Sequence, residues 1–389
     1  MKFSFRIMKS EKKYRARAGI ITTPHGRIET PAFSPVGTRA TVKGLTPNDL
    51  KKTGTQVVLG NAYHLYLQPG LEVIKNFGGF APFMDWDGPT ITDSGGYQVS
   101  FLWNSNSKKS VNITDKGMYF NSHIDGSRHL LTPEKSMQIQ NILGADIVMT
   151  FDQPQGVDYS PRLKKEAFER TLKWEERSFI EWRRMQSIQK SKPTQALFGI
   201  IHGGTDRVLT RRSLNFIINL GFPGLAFGGE TIGKSPKLTA RTLDTVADLL
   251  PDSLPLHALG LGGGPEGIFE AVERGVDMFD NSSVTRMART GIAFVYPEDG
   301  GKRESKFRVN IEKASSKNDK EPISKVCRCD TCLHFSKAYI RHLLKSREIL
   351  GSRLMSLHNV YFINDLMGKI RISIKNGDFS QFKRSWLGN

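Results

Sequence analysis

The sequence predicts an α/β fold of the (β/α)8 type, the TIM barrel. Eight short apolar runs recur along the chain, each ending in a polar or glycine-rich tip, and segments with helical patterning separate them. No G-x-G-x-x-G motif opens a helix after the first strand, which disfavours the competing architecture, a doubly wound open sheet. With 389 residues, the chain has room for one barrel and an additional subdomain.

The predicted barrel strands are the apolar runs themselves. In chain order they lie in TPAFSPVG, QVVLGNAYH, PTITDSGG, ADIVMTFDQ, ALFGIIHGG, GLAFGGE, LHALGLGGG and VDMFDNSS. Two of the intervening helices have clear boundary residues. TPEKSMQIQNILG has Thr132 as its N-cap, Pro133 at the first helical position and Gly144 as its stop, and GPEGIFEAVERG repeats this arrangement with Pro265 and Gly275.

We predict three parts along the chain. Residues 1–300 form the barrel together with N-terminal antiparallel strands, because the alternating start MKFSFRIMKSEKKYRARAG is unlike a secretory leader. Residues 301–365 form an inserted subdomain, and the polar segment 298–322 at its start is predicted as loops. Residues 366–389 form a C-terminal helix that packs back on the barrel.

The charge balance indicates the class of partner. The chain has 56 Lys and Arg against 38 Asp and Glu, a formal net charge of +18. Such a surplus favours a polyanion such as nucleic acid, with a merely basic, soluble surface as the alternative. No apolar run is long enough to span a bilayer and no segment is a basic amphipathic anchor, so a membrane partner is disfavoured.

All three cysteines lie in one short motif, CRCDTC, at residues 327–332. An odd number of clustered thiols argues for metal binding in a reducing compartment, which predicts a cytoplasmic protein. Three thiolates and one imidazole would form a closed, structural Zn²⁺ site. Spacing leaves His358 with two rivals for the fourth ligand, His334, which lies very close to the cysteines, and His342, about three helical turns away.

The polar tips predict an active site. In a barrel, the C-terminal ends of the strands converge on one mouth, where catalytic residues lie. A single acid at such a position often only closes a strand or caps a helix. Three carboxylates around one mouth are hard to explain in this way, and Asp280 is followed by Arg286 and Arg289. The tips supply Asn61, Asp93, Asp152, His202, Gly228–Gly229 and Asp280.

Several motifs together resemble those of the bacterial tRNA-guanine transglycosylases. They are TDSGGYQV, GADIVMTFD, VERGVDMFD, CRCDTC and EILGSRLMSLHN, and the resemblance covers nearly the whole chain. It implies a (β/α)8 TIM barrel with an inserted zinc-binding subdomain near the C-terminus, usually as a homodimer. It also implies a reaction on tRNA, in which a free 7-deazaguanine base replaces the guanine at the wobble position of GUN anticodons.

The resemblance gives the carboxylates chemical roles. Cleavage of an N-glycosidic bond builds positive charge on the sugar, and a carboxylate can trap the anomeric carbon covalently. The family's nucleophile falls on Asp280, and its proton-transfer acid on Asp93. Asp152 matches the acid that pairs with the amide-and-amine edge of the purine. Tyr97 matches the ring that stacks on the base, and Asn61 a residue that supports the nucleophile.

The resemblance also implies which residues contact the base, hold the RNA and bind the metal. Main-chain groups around Gly229 match those that approach the base. Arg286 and Arg289 match residues that hold anticodon-loop nucleotides, for which guanidinium groups are suited. The family's zinc ligands fall on Cys327, Cys329, Cys332 and His358.

The sequence departs from the family pattern around the incoming base. His202 replaces a glutamine, Glu230 an apolar residue and Lys234 an acid, while Pro154 stands for a cysteine and Leu259 for a methionine. After the nucleophile, SSVTR stands where VLPTR is usual. Because these changes spare the acids, we predict retained catalysis with altered base selection that favours queuine. The alternative base is the precursor 7-aminomethyl-7-deazaguanine.

Three competing functions account for less of the sequence. A catalytically silent relative and a zinc-containing RNA-binding module leave the pair Asp93 and Asp280 unexplained. A barrel glycosidase that acts on oligosaccharides fits poorly with a net charge of +18.

Overall fold

The computed structural model describes residues 2–105, 111–156, 159–188, 194–229, 231–262 and 264–388. The strands are β1 (Ser4–Ser10), β2 (Arg17–Thr23), β3 (Gly26–Thr30), β4 (Ala32–Ser34), β5 (Val36–Gly37), β6 (Val58–Gly60), β7 (Thr90–Thr92), β8 (Val111–Ile113), β9 (Met118–Asn121), β10 (Arg128–Leu131), β11 (Ile147–Met149), β12 (Ala196–Ile201), β13 (Gly224–Phe227), β14 (Leu256–Ala258), β15 (Met278–Asp280), β16 (Ile292–Phe294) and β17 (Arg308–Asn310).

The helices alternate with these strands through most of the chain. They are α1 (Pro47–Lys52), α2 (Ala62–Leu65), α3 (Leu71–Asn76), α4 (Phe80–Phe83), α5 (Gly96–Ser105), α6 (Pro133–Leu143), α7 (Pro161–Ile188), α8 (Arg207–Leu220), α9 (Pro236–Leu243), α10 (Gly264–Glu273), α11 (Ser283–Ala288), α12 (Asp330–His334), α13 (Lys337–Lys345), α14 (Ile349–Asn376) and α15 (Phe379–Leu387). Short turns of other helix types cover Tyr66–Gly70, Pro297–Asp299 and Ala314–Ser316.

The central sheet is a parallel barrel. Its strand order is β4-β15-β14-β13-β12-β11-β7-β6-β5, and every pairing is parallel. Only Pro35 separates β4 from β5, so the two ends of the sheet are halves of one interrupted strand and the sheet closes. Proline has no N–H to donate, which accounts for the interruption. The predicted (β/α)8 barrel is therefore confirmed, and each of its eight strands lies in one of the predicted apolar runs.

The predicted boundary residues of α6 form the expected caps. The Thr132 hydroxyl accepts a hydrogen bond from the Lys135 amide at 3.1 Å, and Pro133 occupies the first turn. Gly144 ends the helix with φ of 74°, a left-handed conformation that glycine adopts without strain. These caps fix the direction in which the chain enters β11, whose exit carries Asp152.

The N-terminal antiparallel sheet β1-β2-β3 packs against the barrel. Phe3 contacts Phe198 edge-on with ring centroids 5.9 Å apart. The buried Arg17 guanidinium donates to both carboxylate oxygens of Asp277 at 2.9 and 2.6 Å, which ties β2 to the start of β15. An apolar cluster combines side chains of this sheet and of the barrel strands, namely Ile21, Ile28, Ala32, Val57, Leu59, Ile91, Ile147, Met149, Ala196, Phe198, Ile200, Ala226 and Met278. The interior of the barrel is therefore filled with side chains, and the predicted site lies at the C-terminal ends of its strands.

The chain after the barrel differs from the prediction in two respects. Segment 298–322, predicted as loops, contains β17, which pairs antiparallel with β16. α14 is one continuous helix that runs through the predicted boundary at residue 365, and α15 packs Phe379 and Trp386 against Phe269 of α10 with tilted rings. Within the described ranges, no helix combines the length and the apolar character needed to cross a membrane.

Candidate active site

Asp280 ends β15 at the barrel mouth, the C-terminal edge of the eight barrel strands. Its side chain is largely buried, and its Oδ1 accepts a hydrogen bond from the Gly260 amide at 3.0 Å. The same oxygen lies 3.1 Å from Nε2 of His257. Oδ2 receives no hydrogen bond from any described residue. Asp280 therefore has one anchored carboxylate oxygen and one that is free to react.

Asp93 follows β7 on the same mouth. Its Oδ2 accepts from the Asn61 amide at 2.5 Å and from the Gln98 amide at 3.0 Å, and its Oδ1 accepts from the Ala62 main chain at 2.9 Å. Burial, with a smaller contribution from the nearby charge of Asp280, raises the pKa of this carboxyl to about 7 against the opposing effect of its hydrogen bonds. A carboxyl with such a pKa can both donate and accept a proton near neutral pH.

Asn61 is held in a single orientation. As the N-cap of α2, its Oδ1 accepts from the His64 amide at 3.0 Å, which leaves its NH2 group to face Asp93. The resemblance gave Asn61 a role in supporting the nucleophile. The structure places its side-chain hydrogen bonds on Asp93 and on the first turn of α2.

Asp152 and His202 form a buried pair at the exits of β11 and β12. His202 Nε2 lies 2.9 Å from Asp152 Oδ2, and the Ser94 hydroxyl donates to Oδ1 at 3.4 Å. A β-carbon on Gly96 would lie only 2.5 Å from the main-chain oxygen of Asp152, so a glycine is required for this approach. The arrangement presents a carboxylate edge with an imidazole beside it.

A buried glutamate on the outer helix α7 supports this pair. The Oε1 of Glu175 accepts from the Thr150 hydroxyl at 2.8 Å and from the Ile200 amide at 2.9 Å. Each of these residues lies two positions before a member of the pair, Asp152 or His202. Burial raises the pKa of Glu175 well above its usual range. Glu175 thus joins the two strands just below the site.

Small residues keep the neighbouring strand exit open. A β-carbon on Gly228 would lie 2.7 Å from the Ile200 side chain, 3.7 Å from Leu259 and 3.8 Å from Nε2 of His202. Gly229 has φ of 100° and open space around its missing side chain. The Gly228 amide donates to the Ile201 carbonyl at 3.3 Å, and the Gly229 carbonyl accepts from the Ile232 amide at 3.3 Å, so hydrogen bonds to the chain hold this strand exit in place.

Two further predicted base contacts are Tyr97 and Glu230. Tyr97 lies in the first turn of α5 with about half of its side chain exposed, 52%, at the rim of the mouth. Glu230 lies outside the described residues. Lys234, four residues later, is exposed.

Arg286 and Arg289 lie on and just after α11, next to Asp280 in the chain. No carboxylate of the described chain pairs with either guanidinium, and Arg289 contacts only the Thr285 hydroxyl, at 3.3 Å. Burial, and then the charge of Arg286, lower the pKa of Arg289. The two cations therefore lie close together without an internal counter-ion, as an anion-binding surface requires.

A second cluster lies beside α14. Sulfur atoms of the three cysteines lie 3.3–3.7 Å from Nδ1 of His358, and all four ligand atoms lie within 4.8 Å of one another. A tetrahedral site with Zn–S of about 2.3 Å and Zn–N of about 2.0 Å has S···N edges of about 3.5 Å, which fits this set. His358 Nε2 lies 2.7 Å from the Phe294 carbonyl, which directs Nδ1 toward the thiolates. Residues Cys327, Cys329, Cys332 and His358 could thus hold a metal ion, and His334 and His342 are not in the cluster.

Comparisons with known proteins identify the family. The family model described as queuine tRNA-ribosyltransferase matches residues 12–389. A protein of that description from Caldanaerobacter subterraneus subsp. tengcongensis is 43% identical over 385 residues, which cover 98% of this chain and 96% of the relative. The chain belongs to the queuine tRNA-ribosyltransferase family. The predicted resemblance is confirmed, and the protein is an enzyme of the pentosyltransferase class.

Two other relatives match over the same extent. The queuine tRNA-ribosyltransferase of a Roseiflexus species is 42% identical over 410 residues, with 100% of both chains covered. That of Halothermothrix orenii is 42% identical over 391 residues, covering 100% of this chain and 98% of the relative. The match therefore includes both the barrel and the metal cluster.

Loss of one thiolate is expected to remove the metal from this queuine tRNA-ribosyltransferase family member. In Cys329→Ser, the metal content measured by atomic emission should fall from about one ion per chain to near zero, and the free energy of unfolding should fall by more than about 3 kcal/mol. His342→Asn is the matched control and should retain both the metal content and the free energy of unfolding of the unchanged protein. Equal metal content in the two variants would contradict the assigned ligand set.

Three contacts of the site escaped sequence reasoning. His257 lies inside the apolar run LHALG, Gln98 is one turn into α5, and Glu175 is on an outer helix. The only signal for His257 is an ionisable residue in an otherwise apolar strand. For Glu175, the signal is an acid on the apolar face of α7.

Proposed function

We propose that the protein exchanges the guanine at the wobble position of GUN-anticodon tRNAs for a 7-deazaguanine base through a covalent bond between Asp280 and the ribose. The observation that carries this proposal is the pairing of a half-anchored Asp280 with Asp93, whose pKa is raised to about 7, at one barrel mouth. The first group suits nucleophilic attack, and the second suits proton transfer.

The reaction runs in two displacements. Oδ2 of Asp280 attacks C1′ of the ribose, the C1′–N9 bond breaks, and the departing guanine takes a proton from Asp93. The incoming base then loses its proton to the Asp93 carboxylate and attacks C1′, which releases Asp280. Asp93 thus returns to its starting state, and two successive inversions retain the configuration of the sugar.

The buried pair Asp152 and His202 is proposed to recognise the base. Asp152 can accept hydrogen bonds from the ring N–H and the exocyclic amine that a 7-deazaguanine shares with guanine. His202 can offer an Nε2–H to the neighbouring oxo group when the base displaces it from Asp152. Gly229 lies where its main chain can contact the same edge, Leu259 can pack on the base, and Tyr97 can stack on its face.

Selection between the two candidate bases depends on charge. Both bases carry an amine on the arm at position 7, but an exposed Lys234, for which no described residue supplies a partner, would repel the compact primary ammonium of the precursor more than the secondary amine of queuine, which the cyclopentenediol shields. Glu230 would have to neutralise that ammonium for the precursor to bind. Queuine, which carries a bulky cyclopentenediol on that arm, is the base that we propose. The same reaction with the precursor is the alternative.

We expect purified enzyme with a GUN-anticodon tRNA to use queuine at least tenfold more efficiently than the precursor, a preference of about 1.4 kcal/mol. Incorporation of each base is measured separately by loss of radiolabelled guanine from the tRNA. Lys234→Glu is the matched variant and should shift the ratio toward the precursor. Strong use of the precursor with no use of queuine contradicts the selectivity, and no exchange with any base favours a non-catalytic tRNA-binding relative.

The tRNA is proposed as partner on electrostatic grounds. No carboxylate of the described residues pairs with Arg286 or Arg289 beside the proposed nucleophile, and the net charge of +18 supports binding to a polyanion. We also propose a cytoplasmic homodimer with a structural Zn²⁺. The three buried cysteines without a disulfide support the reducing compartment and the metal. Exposed Leu333 and Tyr339, which line one groove beside the metal cluster, support the dimer.

A further inference from the structure

We propose that His257 is a positioning residue for the nucleophile. Its imidazole donates a hydrogen bond to one carboxylate oxygen of Asp280 and so selects the other oxygen for attack. This inference rests on the proposed role of Asp280 and deepens it.

The contacts of His257 are specific to one oxygen. The residue lies in the middle of β14, between β13 and β15, and its side chain is fully buried. Nε2 lies 3.1 Å from Oδ1 of Asp280, the oxygen that also accepts from the Gly260 amide at 3.0 Å. Two donors therefore converge on Oδ1, while no described residue donates to Oδ2. The two donors hold Oδ1 in place and leave Oδ2 without a donor among the described residues.

The hydrogen-bond pattern also determines which ring nitrogen carries the proton. A bare Nε2 would oppose its lone pair to that of Oδ1, so the proton lies on Nε2. Nδ1 is buried and has no partner among the described residues. The imidazole thus donates through Nε2 and orients Asp280.

A purely structural role explains this residue less well. An apolar side chain of similar volume would fill the position between the strands without a stranded nitrogen, since buried unpaired polar atoms destabilise the fold. The buried Nδ1 of His257 has this destabilising effect, and the only described side-chain hydrogen bond of the residue is to Asp280. Its contribution is therefore expected in the rate of the reaction rather than in stability.

The test compares three substitutions at one position in the full-length, zinc-loaded enzyme. Gln can place an amide N–H near the position of Nε2, Asn is polar but too short, and Leu has similar volume without a donor. In His257→Leu and His257→Asn, kcat for guanine exchange should fall about 10- to 100-fold, the loss expected for one hydrogen bond to a charged group. KM for tRNA should stay within about twofold. His257→Gln should recover most of the rate.

The outcomes separate this inference from the proposed function. If the wild-type enzyme exchanges guanine and forms an RNA adduct, but His257→Leu does so at the wild-type rate, only the inference is wrong. Equal rates in His257→Gln and His257→Asn overturn it as well, and this comparison decides the matter if the leucine variant does not fold. A wild-type enzyme with neither exchange nor adduct overturns the proposed function itself.

Discussion

Replacement of Asp280 with alanine is expected to abolish exchange of radiolabelled guanine into tRNA, with a loss of about 10⁴-fold or more. The variant lacks the oxygen that we propose attacks C1′, and no other carboxylate lies at the end of β15 to replace it. Single-turnover assays with saturating tRNA measure the loss without interference from product release.

Two controls make this result interpretable. Asp280→Asn keeps the shape of the side chain and should be as inactive as the alanine variant, because an amide is a poor nucleophile. Both variants should bind tRNA with near wild-type affinity, since Arg286 and Arg289 are unchanged. Residual exchange above about one hundredth of the wild-type rate in either variant would show that another group attacks the ribose.

Asp93→Asn is expected to slow exchange by about 10²- to 10⁴-fold, the usual contribution of a general acid or base. The pKa of Asp93 is raised to about 7, so much of the carboxyl is protonated near neutral pH, unlike an ordinary aspartate. Adduct formation needs this protonated form. Its rate in the wild-type enzyme should therefore be level below about pH 7 and fall about tenfold per pH unit above it.

The control for this prediction is a surface aspartate. Asp87 is mostly exposed and pairs with Lys51 at 2.8 Å, so Asp87→Asn should leave both the rate and its pH profile unchanged. The asparagine variant at position 93 should show a slow rate that no longer varies through pH 7. A wild-type profile without a change near pH 7 would contradict the assignment of Asp93 as the proton-transfer group.

Much of the barrel could be predicted because its strands have a local signature. Each apolar run ends in a tip of polar or glycine residues, and all parallel strand ends of a barrel meet at one mouth. That rule alone brings Asp93, Asp152 and Asp280 together, although they lie far apart in the sequence. Three of the proposed metal ligands, the cysteines of CRCDTC, could also be predicted because they lie within six residues of one another. The fourth, His358, could not be distinguished by spacing from His334 and His342.

The supporting contacts could not be predicted in the same way. His257 reaches Asp280 only because β14 and β15 pair in a particular register, and Glu175 reaches two strands only through the packing of α7. Neither contact has a fixed sequence spacing. The partner of Asn61 depends on which way its amide is turned, and the His64 main chain decides this. Such details require the three-dimensional structure.

The most direct test of the account is to locate the covalent bond. The wild-type enzyme is mixed with a GUN-anticodon tRNA, quenched under denaturing conditions and digested, and the RNA-linked peptide is sequenced by mass spectrometry. After cleavage with trypsin, we expect a ribose attached through Asp280 to the peptide GVDMFDNSSVTR. A stable exchange activity without any such adduct, or an adduct on Asp93 instead, would contradict it.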